Sequence, residues 1–169
     1  MSRAFYLDEP DKDVSMDEAK ALGVLHWKLD VDNYAAKLSE IKAERGYNYE
    51  DMVDSSKIPD FPAKVATFAK EHLHDDEEIR FCLDGSGFFD VRDQRNGADK
   101  WLRLVFAKGD MIVLPAGIYH RFVVDETGFF KVLRLFCGEP VWTAHNRELT
   151  DTETRPARAK YVARTLKPE

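Results

Sequence analysis

Residues 71–80, EHLHDDEEIR, combine two histidines, a run of acidic residues and an arginine in one short segment. Because side chains alternate between the two faces of a β-strand, His72 and His74 share one face. If the extended backbone continues, Glu78 and Arg80 lie on that same face and their immediate neighbours point away. Two imidazoles and a carboxylate on one face can bind a divalent first-row metal and leave coordination positions open. The segment therefore predicts a metal-binding strand.

A second segment, residues 109–120 with the sequence GDMIVLPAGIYH, supplies a further histidine. Pro115 and Gly117 predict a turn between two apolar strands, which delivers His120 to the start of the second strand as a candidate fourth ligand. This set contains no thiolate, so iron(II), nickel, manganese, cobalt and zinc are all chemically acceptable. A lone strand histidine is usually a surface or core residue, but three histidines and a carboxylate in this pattern favour a metal site.

The rest of the chain from residue 71 consists of short apolar runs separated by glycine, proline and aspartate. We predict strands at residues 79–83, 87–91, 101–106, 111–114, 118–124 and 129–136. Many short strands at such regular spacing indicate an antiparallel sandwich or barrel. We therefore expect one mainly β domain over residues 1–169, with a metal-binding β-barrel at residues 71–147.

The segments on either side of the barrel carry helix signals. Gly46 ends a predicted helix that begins after Asp32. A further helix is predicted at about residues 61–70. Residues 1–70 are expected to be helical and to pack outside the barrel, and residues 148–169 are expected to form a tail with a last helix.

Charge and composition exclude several classes of protein. The chain has 25 basic and 31 acidic residues with both signs interspersed, so it lacks the basic patch that nucleic-acid binding requires. It has no apolar run of about 18 residues, and we expect no membrane insertion. Residues 1–10 lack the pattern of a secretory signal. Two cysteines allow at most one disulfide, which suits a reducing compartment such as the cytoplasm.

Two arginines are candidate catalytic residues. Arg80 follows Glu78 on the predicted metal-binding face, and Arg134 lies in an otherwise apolar strand. A buried guanidinium must be paired with negative charge. Each arginine either forms a structural ion pair with an Asp or Glu, or faces a metal-bound anionic substrate and stabilises developing negative charge. Three aromatic residues are candidate walls of the substrate pocket: Phe68, Phe122 and Trp142.

Together the two histidine segments resemble the motifs of the cupin superfamily. The pattern H-x-H-x3-E-x6-G is filled by His72, His74, Glu78 and Gly85, and the pattern G-x5-P-x-G-x2-H by Gly109, Pro115, Gly117 and His120. Either pattern alone is a weak signal, but both in this order are a strong one. The resemblance implies a cupin barrel, which is a double-stranded β-helix or jelly roll. Ala66 and Val124 depart from the general pattern, and neither is a candidate ligand.

Longer stretches are similar to one cupin family, the acireductone dioxygenases, in its shorter eukaryotic-like form. The similarity covers most of the chain and is densest in residues 71–93, 108–122 and 133–147. The last of these stretches belongs to no general cupin motif, so its match is specific to this family. His145 replaces a common tyrosine, and the loop at residues 95–99 is slightly longer; both departures concern loop contacts.

This resemblance implies an oxidoreductase of methionine salvage. Its small-molecule substrate would be the acireductone 1,2-dihydroxy-5-(methylthio)pent-1-en-3-one, which is cleaved with O2. With Fe(2+) the family forms formate and 4-methylthio-2-oxobutanoate, and with Ni(2+) it forms formate, CO and 3-(methylthio)propanoate. The implied ligands of one metal ion per chain are His72, His74, Glu78 and His120. The implied pocket positions are Arg80, Arg134, Phe68, Phe122 and Trp142.

Animal members of the family are linked to protein partners and to the nucleus. We therefore expect a monomer in the cytoplasm, with the nucleus and protein partners as further implications. Two other functions stay open: another metal-dependent cupin enzyme, either an isomerase or a different dioxygenase, and a non-catalytic cupin binding protein. An isomerase of phosphate substrates would need more Lys or Arg around the pocket, and a full set of four candidate ligands argues against a purely non-catalytic protein.

Overall fold

The computed structural model describes residues 3–167, which form ten strands and four α-helices. The strands are β1 (Ala4–Tyr6), β2 (Leu25–Lys28), β3 (Tyr49–Asp54), β4 (His72–Leu73), β5 (Glu78–Asp93), β6 (Lys100–Ala107), β7 (Asp110–Leu114), β8 (His120–Val123), β9 (Phe130–Phe136) and β10 (His145–Asn146). The helices are α1 (Asp17–Ala21), α2 (Ala35–Arg45), α3 (Phe61–Phe68) and α4 (Pro156–Tyr161), and a π-helical turn (Val162–Leu166) follows α4. None of the helices in residues 3–167 is long and apolar enough to cross a bilayer.

The strands pair in antiparallel fashion and form two sheets that share β5. One sheet has the order β1-β6-β5-β8-β4-β10, and in the other β7 and β9 flank β5 and carry β2 and β3 on their outer edges. The first half of β5, up to Gly85, pairs with β7 and β9, and the second half, from Ser86, pairs with β6 and β8. This architecture confirms the predicted mainly β barrel.

β5 passes from one sheet to the other through a bulge. Its register with β9 shifts between Cys82 and Asp84. Gly85 follows with a φ of +76°, and a Cβ atom at this position would lie 2.2 Å from the carbonyl oxygen of Phe129, so only glycine fits. The strands predicted at residues 79–83 and 87–91 are therefore one continuous strand, because the Asp-Gly pair permits a bulge here instead of a hairpin turn.

The N-terminal part is only partly helical, which corrects the expectation of a helical segment at residues 1–70. β1 pairs with β6, β2 with β7 and β3 with β9, so three N-terminal strands extend the barrel sheets. Such short strands owe their conformation to pairing with an existing sheet edge more than to local propensity. The expected outside packing does hold for α2, whose Leu38 and Ile41 share a buried cluster with Ile79 and Phe81 of β5.

Side-chain alternation along β5 separates two apolar clusters. Ile79 and Phe81 point outward to the cluster under α2. Cys82, the residue directly after Phe81, belongs to the second cluster together with Phe89 and Val91 from the other half of the strand. The side chains of β5 that do not face α2 are therefore available to line the inside of the barrel, which is where the candidate ligands were expected.

Asp90 on β5 is fully buried and gives the barrel a charged structural contact. Its two carboxylate oxygens accept hydrogen bonds from Arg103 at 2.7 and 2.9 Å, and Oδ2 accepts another from Arg121 at 2.8 Å.

Asp90→Ala would leave two partly buried guanidiniums without their carboxylate. We expect the free energy of unfolding, measured by urea denaturation, to fall by about 3 kcal/mol.

The matched control for this substitution is Lys37→Ala. Lys37 pairs with Glu40 on the exposed surface of α2 at 3.3 Å. Its removal should change the free energy of unfolding by no more than about 0.5 kcal/mol. An Asp90→Ala protein as stable as the Lys37→Ala protein would contradict the assigned role of Asp90.

Candidate metal centre and adjoining cavity

Three histidines from both sequence segments converge at one point in the barrel. His72 on β4 lies directly opposite His120 on β8, and His74 follows two residues after His72. The ring centroids are separated by 4.5 Å (His72 and His120), 4.9 Å (His72 and His74) and 5.3 Å (His74 and His120). One nitrogen from each ring lies within 4.8 Å of the others, so the three residues can hold a metal ion.

Each of these imidazoles is oriented by a backbone carbonyl. Nδ1 lies 2.6 Å from the Lys70 oxygen in His72, 2.7 Å from the Thr143 oxygen in His74 and 3.0 Å from the Ile118 oxygen in His120. A carbonyl oxygen can only accept, so Nδ1 carries the proton in all three rings. In the neutral form of each ring, the Nε2 lone pair is then the one available to a metal ion, and the backbone carbonyl fixes the ring direction.

Glu78, the first residue of β5, brings a buried carboxylate to the same point. Its Oε2 atom lies 2.6 Å from Nε2 of His120, and its Oε1 atom lies 2.8 Å from Nη2 of Arg80. Burial acts to raise the pKa of Glu78, but Arg80 and His120 outweigh it and hold that pKa well below its usual value. Glu78 is therefore ionised at neutral pH.

The neighbouring Glu77 points away from the histidines. Its carboxylate accepts a hydrogen bond from Arg45 at 2.7 Å and another from the Tyr47 hydroxyl. The two glutamates thus lie on opposite faces of the chain, as the alternation of side chains predicts. Of the two glutamates, Glu78 is the one whose carboxylate lies beside the histidines.

The chemistry of the donor set fits a divalent metal ion. Burial, together with the nearby His120, lowers the pKa of His72 to about 3, and burial lowers the pKa of His74 as well. Both rings are therefore neutral, which is the metal-binding form of imidazole. Nε2 of His120 is buried and, within the described residues, makes no bond of hydrogen-bonding geometry despite its short distance to Glu78. A buried unsatisfied nitrogen is costly, and a bound cation would satisfy it.

A cavity of about 290 Å³ adjoins the carboxylate of Glu78. Most of its wall is aliphatic or aromatic: Val53, Ile58, Phe68, Phe89, Phe106, Phe122, Phe130 and Val132. The polar part of the wall consists of Lys64, Glu78, Arg80 and Arg134. An apolar cavity with a few polar groups in its wall is typical of a small-molecule site, and three of the polar groups here, Glu78, Arg80 and Arg134, lie together.

The structure brings the two predicted arginines together at that polar end. Arg80 on β5 lies opposite Arg134 on β9. Arg80 pairs with Glu78, whereas Arg134 donates two hydrogen bonds, of 2.7 and 2.6 Å, to the two carboxylate oxygens of Asp51. Both arginines therefore line the cavity and are also charge-paired, so the two alternatives considered for them are not exclusive.

The three predicted aromatic residues occupy two different places. Phe68 on α3 and Phe122 on β8 face each other in the cavity wall, with ring centroids 6.4 Å apart. Trp142 contacts the two arginines instead: the guanidinium carbons of Arg134 and Arg80 lie 4.1 and 5.4 Å from its ring centroid. Trp142 can hold the guanidiniums in place by cation–π contact, and it is not part of the cavity lining.

Sequence reasoning missed Asp51 and Lys64. Asp51 lies on β3 with Val53, and both contribute to the cavity or to its arginines. Residues 49–54, YEDMVD, show no regular alternation of apolar and polar residues, so they carried little signal for a strand, and they stand in a segment expected to be helical. Lys64 lies on the exposed side of α3, where a lysine carries no signal of a site.

Comparisons with known proteins agree with this geometry. Residues 3–144 match the model of the ARD/ARD' family. Acireductone dioxygenase of Macaca mulatta is 46% identical over 98% of this chain and 99% of its own length, and acireductone dioxygenase 3 of Physcomitrium patens is 46% identical over 99% of this chain and 88% of its own.

A solved structure shares the fold. It is the acireductone dioxygenase from Bacillus anthracis with a cadmium ion in its active center, which superposes with a TM-score of 0.73 at 21% identity and covers 85% of this chain and 97% of its own. The match of the family model over most of the chain and the near full-length relatives lead to one conclusion: this chain belongs to the ARD/ARD' family.

Proposed function

We propose that this protein is a metal-dependent dioxygenase that cleaves the acireductone 1,2-dihydroxy-5-(methylthio)pent-1-en-3-one with O2 in methionine salvage. One observation carries the proposal: three carbonyl-oriented imidazoles and an ionised carboxylate meet beside an apolar cavity with two guanidiniums. The names of the near full-length relatives support the choice of substrate. The products with Fe(2+) would be formate and 4-methylthio-2-oxobutanoate.

The proposed ligands of one metal ion are His72, His74, Glu78 and His120. When bound, Fe(2+) or Ni(2+) would supply a Lewis acid and a template for the oxygen atoms of the substrate. Of the four side chains, Glu78 also lines the cavity, so a metal ion held here would lie next to the space that a substrate can enter. With Ni(2+), the proposed products are formate, CO and 3-(methylthio)propanoate.

The polar end of the cavity is suited to an anionic enediol. The Arg80 side chain is 14% exposed and lies within hydrogen-bonding distance of Glu78. A guanidinium fixed in this position would orient the substrate oxygens and stabilise their negative charge in a site of low dielectric constant. Arg134 adds a second cationic group to the same wall, although Asp51 offsets part of its charge.

The apolar end of the cavity is suited to the methylthio tail. Phe68, Phe122 and Phe130 form an aromatic wall with centroid separations of 6.4 and 5.1 Å. Burial of the tail against these rings would be favourable by the hydrophobic effect, and a filled cavity would exclude water from the reacting end. The tail therefore supplies binding energy while the arginines determine the orientation.

Oxygen consumption tests the reaction directly. Metal-free protein loaded with Fe(2+) should take up one O2 for each acireductone cleaved and release formate, as measured with an oxygen electrode and by product chromatography. The same protein loaded with Ni(2+) should release CO. Protein that contains Fe(2+) but consumes no O2 with this substrate would refute the dioxygenase and leave the isomerase or binding-protein alternatives.

Metal analysis tests the ligand set. His74→Ala and Glu78→Ala should each lose the bound metal and the activity together, because each removes a donor from a four-residue site. The matched control is Glu77→Ala, which removes a carboxylate one residue away that pairs with Arg45. Metal retained in Glu78→Ala but lost in Glu77→Ala would reverse the assignment of the two glutamates.

Substitution of Arg80 separates binding of the metal from turnover. Arg80→Ala should keep the metal while kcat/KM falls by about 100-fold, a loss typical of removing one electrostatic stabiliser. Arg45→Ala is the matched control, since Arg45 pairs with Glu77 outside the cavity. Equal activity of the two variants would show that Arg80 serves only as the counter-ion of Glu78.

A further inference from the structure

The C-terminal segment beyond β10 packs against the turn that carries His120. This segment lies outside residues 3–144, the part matched by the family model. We propose that Arg158 on α4 is a positioning residue of the metal centre, which holds the turn at Pro115–Gly117 and thereby fixes the Nε2 atom of His120. The inference rests on the metal site of the proposed function and concerns a residue that contacts none of the four ligands.

Arg158 is a buried cation with partners on three sides. Only 2% of its side chain is exposed. Its Nη1 atom donates to the carbonyl oxygen of Gly117 at 3.1 Å, Nη2 donates to Oε1 of Gln94 at 2.7 Å, and Nε donates to Oε1 of Glu153 at 3.2 Å. The planar, five-donor guanidinium satisfies these three acceptors at once, which a lysine ammonium of different shape cannot reproduce.

The same guanidinium also fixes the residue next to His120. Its carbon lies 4.3 Å from the ring centroid of Tyr119, and the hydroxyl of this fully buried tyrosine donates to Oε2 of Glu153 at 2.5 Å. Arg158 and Glu153 thus hold Tyr119 by its ring face and its hydroxyl. The backbone between Gly117 and His120 is therefore constrained at both Gly117 and Tyr119.

Direct backbone packing makes this contact rigid. Gly117 has a φ of +83°, and a Cβ atom there would lie 2.4 Å from the carbonyl oxygen of Ala157. The amide of Gly117 also donates to the carbonyl oxygen of His74 at 3.0 Å. One turn therefore connects the C-terminal segment to two of the three histidines, with no space for a side chain between them.

A second tether lies on the other side of His74. Arg155 donates two hydrogen bonds, of 2.8 and 2.6 Å, to the carboxylate of Asp75, the residue that follows His74. These atoms are partly exposed, so the ion pair contributes less than the buried contacts of Arg158. The contacts of the C-terminal segment that stabilise the metal centre most are therefore those to Gly117 and Tyr119, next to His120.

Groups that orient metal ligands from outside the coordination sphere typically change metal affinity by 10- to 100-fold. Because Arg158 acts through the backbone, we expect an effect at the lower end of this range. Arg158→Lys keeps the charge but loses the fork of donors. It should bind Co(II) about tenfold more weakly in titrations of metal-free protein, and its bound Co(II) should have an altered visible absorption spectrum.

Tyr161→Phe is the matched control in the same segment. Tyr161 is equally buried, and its hydroxyl donates to the carbonyl oxygen of Leu22 and not to the turn, so Tyr161→Phe removes one hydrogen bond while the ring, 5.8 Å from the guanidinium carbon of Arg158, stays in place. Its Co(II) affinity should equal that of the unchanged protein. Two results would overturn the proposal. If Arg158→Lys binds Co(II) as tightly as the unchanged protein, Arg158 does not position the site. If Tyr161→Phe loses as much Co(II) affinity as Arg158→Lys, the loss follows from any loosening of the C-terminal segment.

Glu153→Ala keeps the proposal testable if Arg158→Lys does not fold. Glu153 is largely exposed, so its substitution is tolerated, and it contacts both Arg158 and the hydroxyl of Tyr119. A weaker Co(II) affinity in the folded Glu153→Ala protein would support the proposal, and an unchanged affinity would overturn it. Failure of the unchanged protein to bind Co(II) would instead refute the metal site itself.

Discussion

The structure depends on bringing three imidazole nitrogens to one buried point, each with its lone pair directed inward. Antiparallel pairing of β4 with β8 places His72 opposite His120, and carbonyl oxygens of the backbone hold all three Nδ1–H groups. Without those carbonyls, each ring could flip or change tautomer and the site would lose its geometry. The barrel therefore positions the backbone carbonyl oxygens that orient the rings as well as the histidine side chains themselves.

The charged residues around this point form two neighbouring ion pairs, Glu78 with Arg80 and Asp51 with Arg134. Glu78 lies between His120 and Arg80, and Arg134 lies between Arg80 and Asp51. Two guanidiniums on adjacent strands would repel each other in a site of low dielectric constant, so a carboxylate at each end makes their proximity tolerable. Trp142 contacts both guanidiniums and restricts their motion.

The histidine segments predicted more of the site than of the fold. Side-chain alternation favoured Glu78 over Glu77, but the continuous strand that it assumed is interrupted: β4 ends at Leu73, and bends at Asp75 and Asp76 precede β5. The Pro-x-Gly turn accounted for the placement of His120, because this feature is local. The N-terminal strands β1 to β3 were missed because their conformation comes from pairing with distant strands. Asp51 was missed for the same reason: its partner Arg134 is 83 positions away in the sequence. At Gly85 the positive φ was foreseeable, but whether it would serve a hairpin or a bulge depended on tertiary contacts.

The bulged strand β5 also restricts how the length of this chain can vary. Glu78 belongs to the half of β5 that lies in one sheet, whereas the half that pairs with β8, the strand of His120, lies in the other. A single-residue insertion or deletion within β5 would turn every later side chain of the strand to the opposite face. Phe89 and Asp90 would then exchange the faces of the sheet on which they lie. Length changes are therefore confined to connections such as residues 95–99, and the spacing of β5 is as restrictive as the identity of the ligands.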